Sequence, residues 1–260
     1  MSIEHHDQRL VKSSALVSDR LFCHSRVMAT HRTARERARE EITREIVDEA
    51  RRQLAEQGAA SLSLRSVARE LGMVSSAVYR YVASRDELLT RLIVEAYDSL
   101  GDATERAVAA STGDVPLDRW VAAALVVRAW ALEHPHEYGL LYGAPVPGYA
   151  APDDTVVPGT RVSRALISIV HDARATGQLP RRARRGEPLP ETLSDDFAGL
   201  RSELDLDLDD VATLDVLLAW TQLFGLLGFE LFGQTRGLVA DDRALFETAA
   251  RRMGGHLGLR

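Results

Sequence analysis

The sequence predicts an all-α protein, with a small three-helix unit at the front and a larger helical domain behind it. Three observations carry this. Apolar residues return at helical spacing along most of the chain, as Ile42, Ile46, Ala50 and Leu54 do. The two Pro/Gly-rich breaks, GAPVPGYAAPDDTVVPG and LPRRARRGEPLPETLSDD, lack the alternation of strands, and no Asn-Gly hairpin signal occurs. With 260 residues and 45% hydrophobic content, the chain can bury a full core.

Taken in order, residues 1–31 show no sustained periodicity and are expected to form a flexible N-terminal arm. Met28, directly before ATHRTARERARE, is an alternative initiator. A first helix is predicted over Thr33–Gln57, with Val47 beside the four-residue apolar repeat and Gly58 as its stop. SLSLRSVARELG gives a short helix capped by Ser63 and broken at Gly72. SSAVYRYV gives another, capped by Ser75. Ser84 with Glu87 three residues on forms a capping box, opening a long helix marked by Leu88, Leu92, Val94, Ala96 and Leu100. Further helices are predicted over 116–134, 136–143, 159–176, 207–232 and 241–257. The domain boundaries expected are 32–83 and 84–260.

Charge divides along the same line. The net −6 resolves into +1 for residues 1–31, +2 for 32–91 and −9 for 92–260. Any nucleic-acid contact therefore belongs at the front. Cys23 is the single cysteine, so neither an intrachain disulfide nor a multi-cysteine zinc site can form. No run of consecutive apolar residues approaches membrane-spanning length, and the start lacks a secretory layout. A cytoplasmic location away from the membrane is expected.

The stretch LRSVARELGMVSSAVYRYV places a small residue, a glycine and an apolar residue at the offsets two crossing short helices need. Ala68 lets the second helix approach, Gly72 supplies a positive φ in the turn, and Val78 faces back into the crossing. Val67, Leu71 and Met73 complete the buried side. The outward face, Ser75, Ser76, Ala77, Arg80 and Tyr81, is short, polar and nearly uncharged, which suits approach to base edges in a major groove. Tyr79 and Arg85 flank it with groups able to bind phosphate, and Arg65 could reach a guanine edge. The competing reading is a generic helical hairpin.

LSLRSVARELGMVSSAVYRYVASRDELL resembles the DNA-binding signature of the tetracycline-repressor (TetR) family of bacterial regulators, over roughly residues 36–90. The resemblance implies a helix-turn-helix DNA-binding domain followed by a helical dimerisation and ligand-binding domain. It also implies base contacts from Ser75, Ser76, Ala77 and Arg80, backbone contacts from Tyr79, Tyr81 and Arg85, and either role for Arg65. Val82 departs from the family's usual phenylalanine, which would alter packing under the recognition helix.

In the back half, AWTQLFGLLGFELFG resembles the motif of a C-terminal subclass called Trp-His-Gly. Trp220 and Gly225 match, but Phe224 stands where the histidine would be, so no ligand role is assigned there. Apolar residues on nearly every side of 211–233 predict a helix buried against both its own domain and a second copy. Trp220, Phe224, Gly225 and Gly228 are the candidate dimer residues. Trp120, Trp130, Tyr138 and Tyr142, with Tyr149 nearby, are the candidates for an apolar ligand pocket; the competing reading is that these aromatics are simply core. His134 and His136 bracket a proline at a helix end, and no metal or cofactor is expected from them.

The function expected is a homodimeric transcriptional repressor, not an enzyme. Its partners would be a near-palindromic double-stranded DNA operator, a second copy of itself and a small-molecule effector. The alternatives are an all-α cytoplasmic enzyme, for which GxSxG, HExxH and Walker-type strings are absent, and a helical interaction module that does not bind DNA.

Overall fold

The computed structural model describes residues 33–260 apart from 112, 114, 180–188 and 205. The N-terminal arm, the alternative start at Met28 and the RRARRG run at 181–186 lie outside the described residues. Those described form ten α-helices and no strand; the all-α class is as predicted, with one helix more than the sequence predicts.

Helix α1 spans Ala34–Gln57. Its leading turns, up to Ile42, are opened by a capping box: Thr33 Oγ1 accepts from the Glu36 N–H at 3.2 Å, and Glu36 Oε2 accepts from the Thr33 N–H at 2.7 Å. A compact unit runs from Thr43 to Arg260. Within it Ile46, Val47, Ala50 and Leu54 are buried along one side of α1, and the chain leaves the helix at Gly58 with φ +76°. Helices α2 (Leu64–Glu70) and α3 (Ser75–Val78) follow.

Between α2 and α3, Gly72 takes φ +65° and the Met73 N–H bonds back to the Ala68 carbonyl at 2.8 Å. This is how a helix closes through a left-handed residue. Val67, Ala68, Val78 and Val82 are all essentially inaccessible, so Val82 fills its place under α3 despite its size. Two predicted caps do not form. Ser63 precedes α2 without a side-chain cap bond, and the residue at the cap position of α3 is Val74, which has no capping side chain. Ser63 O takes the Val67 N–H and Val74 O takes the Ala77 N–H, leaving Ser75 as the first helical residue with its side chain exposed.

The capping box at α4 (Arg85–Ala110) does form: Ser84 Oγ accepts from the Glu87 N–H at 3.0 Å, and Glu87 Oε2 accepts from the Ala83 N–H at 2.7 Å. At 26 residues α4 extends about 39 Å, from the front unit into the back. There it packs on α5 (Pro116–Glu133), α6 (Pro135–Tyr142) and α7 (Val156–Ala175). The α4–α7 crossing is close because Gly101 lacks a side chain; a Cβ there would stand 2.9 Å from Arg161. Arg161 uses that proximity to bond Asp98 at 2.8 Å, Glu105 at 2.7 Å and Asp102.

Helix α8 (Glu191–Leu204) occupies sequence that was expected to be linker. Its charged composition and the preceding prolines hide a thin apolar stripe, Leu193, Phe197 and Leu200, of which Phe197 is buried. The domain is completed by α9 (Asp210–Leu231) and α10 (Asp242–Leu257), which pack on each other and on α5. One core holds Leu100, Trp120, Val127, Ile169, Leu223 and Phe246.

Candidate nucleic-acid interface

Val67, Ala68 and Val78 are buried on one side of the packed α2–α3 pair, and the other side faces solvent. Arg65, Ser75, Ser76, Tyr79 and Arg80 are exposed, and Ala77 and Tyr81 are half-buried. Tyr79 keeps 47% of its surface accessible. After Val78 the chain tightens, with Arg80 N–H bonding Ala77 O and Tyr81 N–H bonding Val78 O, so three polar side chains leave a short span of backbone. Between Ser75 and Tyr81 the one charge is that of Arg80. Such a face combines hydroxyl and guanidinium donors with little competing negative charge, the chemistry of contact with base edges and phosphates.

Sequence reasoning passed over Val74. It is 70% exposed directly before α3, beside the exposed Ser75 and Ser76. An isolated valine in a turn gave no signal, since the hydrophobic pattern assigns such residues to the interior.

Arg85 departs from its expected role. Its Nε donates to Leu62 O at 3.0 Å, and its Nη2 donates to Ala59 O at 2.9 Å and Ala60 O at 3.4 Å. The short turn between α1 and α2 leaves these carbonyls exposed to a donor, and the guanidinium at the start of α4 satisfies them. In the chain without DNA, Arg85 is therefore a positioning residue that fastens α4 to the turn, with Nη1 left 3.9 Å from Asp86 on a partly exposed side chain.

The aromatic residues of the back half separate into two sets. Trp130 donates from Nε1 to Ser99 Oγ at 3.0 Å. Tyr138 is buried and donates to Phe224 O at 2.6 Å, with its oxygen also against the Gly228 N–H, so its hydroxyl sits in the hydrogen-bond ladder of α9. Tyr142 lies 4.3 Å from the Phe224 ring centroid and edge-on to Tyr97. Burial pushes the Tyr138 and Tyr142 hydroxyls well above the ordinary tyrosine range, with nearby Tyr97 and Tyr138 adding to the effect on Tyr142. These three, expected at a pocket, are core.

The cavity lies instead between α5, α7, α8 and α9, and of the expected residues only Trp120 lines it, joined by Trp220. Tyr149 bonds Thr90 on α4 at 2.9 Å. His134 ends α5 with its ring 4.9 Å from that of Trp130, and no metal-suited cluster of His, Cys, Asp and Glu occurs among the described residues.

The candidate dimer residues divide as well. Phe224 is buried and Trp220 turns to the cavity, whereas a Cβ added at Gly225 would meet nothing within 4 Å. The open side of α9 carries Leu218, Gly225, Phe229 and Phe232, with the exposed polar Thr221 and Gln222 among them. By length and hydropathy α9 could cross a membrane, but Leu223, Phe224 and Leu227 on its other side belong to the protein core.

Comparison with known proteins gives the same picture. Residues 46–92 match the model of bacterial regulatory proteins of the tetR family, and residues 120–253 that of the tetracyclin repressor-like C-terminal domain. Over 216 residues the chain is 43% identical to the HTH-type transcriptional regulator Rv1816 of Mycobacterium tuberculosis, covering 82% of this chain and 91% of that protein. HTH-type transcriptional regulator Mb1846 of Mycobacterium bovis gives the same figures. Among solved structures, the regulatory protein SCO4313 is 37% identical, with 86% of this chain and 100% of that one covered and a TM-score of 0.67. A TetR family transcription regulator from Marinobacter aquaeolei VT8 shares the fold at 17% identity, covering 84% of this chain and 97% of its own, with a TM-score of 0.52. Front and back halves thus point one way, and the chain belongs to the TetR family of DNA-binding transcriptional regulators.

Proposed function

We propose that the chain is a cytoplasmic homodimeric repressor that holds a near-palindromic operator and leaves it when a small molecule occupies its back half. Residues 32–83 form the reading unit, and 84–260 the dimerisation and effector domain. The observation that carries the reading is the exposed set Arg65, Ser75, Ser76, Tyr79 and Arg80 on a helix pair whose other side, Val67, Ala68 and Val78, is buried. Ser75, Ser76, Ala77 and Arg80 meet base edges, Tyr79 and Tyr81 meet phosphates, and Arg65 can serve either.

Dimerisation supplies the second reading head. Pairing through α9 and α10 would cover Leu218, Phe229 and Phe232 and let backbones approach at Gly225. Two heads about 34 Å apart would fall on successive major-groove faces of one duplex. An effector can then lower operator affinity only through its preference for one dimer shape over another. Electrophoretic mobility shift with DNA flanking the protein's own gene tests the proposal. A discrete complex carrying two chains supports it; an unretarded fragment rejects it.

A further inference from the structure

The cavity between α5, α7, α8 and α9 has a volume of about 270 Å³. Trp120, Leu166, Val170, Leu208, Val216 and Trp220 are among the residues of its wall, and no charged side chain among the described residues lines it. Its three hydroxyl hydrogens are already donated. Thr160 donates to Val157 O, Ser163 to Thr160 O and Thr213 to Asp209 O, at 2.8 to 2.9 Å. The Trp120 indole N–H is likewise spent on Ala250 O at 2.9 Å. An ionised ligand entering this space would lose hydration without gaining a counter-charge.

Resting on the effector reading above, we propose that this cavity takes an uncharged, predominantly apolar molecule, of the bulk of a bicyclic aromatic or a medium alkyl chain. The size follows by proportion: an apolar cavity of about 150 Å³ holds benzene, and this one is nearly twice as large. Protein interiors keep few voids larger than a water molecule, so apolar space of this extent suits a guest. The position also suits regulation. Thr160 and Ser163 flank Arg161, whose guanidinium clamps Asp98, Asp102 and Glu105 of α4, the helix that starts at the reading unit. A guest pressing on this part of α7 acts on that clamp.

The test uses the full-length protein without DNA and follows tryptophan fluorescence and calorimetry on titration with naphthalene and with naphthalene-2-carboxylate. Naphthalene is expected to bind at least tenfold more tightly than the carboxylate, and Val216→Trp or Ser163→Phe to weaken it at least tenfold. Equal affinity for the two probes, failure of naphthalene to bind, or unchanged binding in a folded filled variant would overturn the proposal. Should both variants unfold, the ratio of the two affinities in the unaltered chain decides alone. Operator affinity with and without saturating naphthalene separates the two readings. Binding that leaves operator affinity unchanged counts against effector control and leaves the cavity assignment standing; a chain that shifts DNA but ignores naphthalene loses the cavity assignment only.

Discussion

Arg51 of α1 and Glu95 of α4 meet at 2.7 Å, joining the first helix of the reading unit to the helix that carries it into the back half. The same guanidinium lies 3.5 Å from Glu137 of α6. Both Arg51 and Glu95 are partly exposed, so water screens the pair. A double-mutant cycle with Arg51→Ala and Glu95→Ala in urea denaturation should give a coupling below about 1 kcal/mol. A coupling of about 3 kcal/mol would show that the junction is shielded from solvent.

Arg80→Ala should cost on the order of 1–3 kcal/mol in operator binding, the value of a good bidentate base contact. Fluorescence anisotropy against the operator and a variant altered under α3 would read it, and discrimination between the two sites should fall along with affinity. Unchanged affinity and discrimination would assign Arg80 to solvent.

Arg85→Ala should behave differently. Removing a charged donor shared by three carbonyls should destabilise the fold by about 2 kcal/mol. The dependence of operator binding on salt should stay as it is, since no phosphate contact is lost. Denaturation midpoints and salt titrations decide it: a flatter salt dependence with unaltered stability would restore the phosphate role.

These two arginines show what the sequence could convey. The helix pair was legible because Ala68, Gly72 and Val78 answer steric demands at fixed spacing, and solvent exposure of Arg80 follows from that register. Arg85 was not, because its partners are main-chain carbonyls more than twenty positions earlier, and carbonyls leave no trace in a sequence. Caps divided in the same way. Ser84 had Glu87 to complete a box, whereas Ser63 makes no cap bond and Ser75 falls inside α3, one residue past its cap position. In the back half, Trp130, Tyr138 and Tyr142 cluster in the chain, but a cavity depends on which faces are left unfilled. This one needed α8, whose sparse apolar stripe read as linker.

Tyr138 gives a prediction in pH. Burial holds its proton beyond the point, near pH 10, at which an unfolded tyrosine ionises. The native chain therefore binds more protons than the unfolded chain above about pH 10, and stability should be full below that pH and fall as it is exceeded. Tyr142, raised in the same direction, adds to the slope. Tyr138→Phe should cost about 1 kcal/mol at neutral pH through the lost bond to Phe224 O, and should flatten the alkaline decline. Urea denaturation between neutral pH and pH 11 measures both; an undiminished slope in Tyr138→Phe would place the ionising group elsewhere.

The most direct test of the account is sedimentation of the protein with a near-palindromic fragment from its own regulatory region, across a salt series, for the unaltered chain and for Phe229→Glu. The account predicts two chains per fragment, affinity that falls steeply with salt as phosphate counterions are released, and loss of the complex when the charge on α9 separates the copies. A single chain per fragment, salt-independent binding, or a Phe229→Glu protein that binds as the unaltered one does would contradict it.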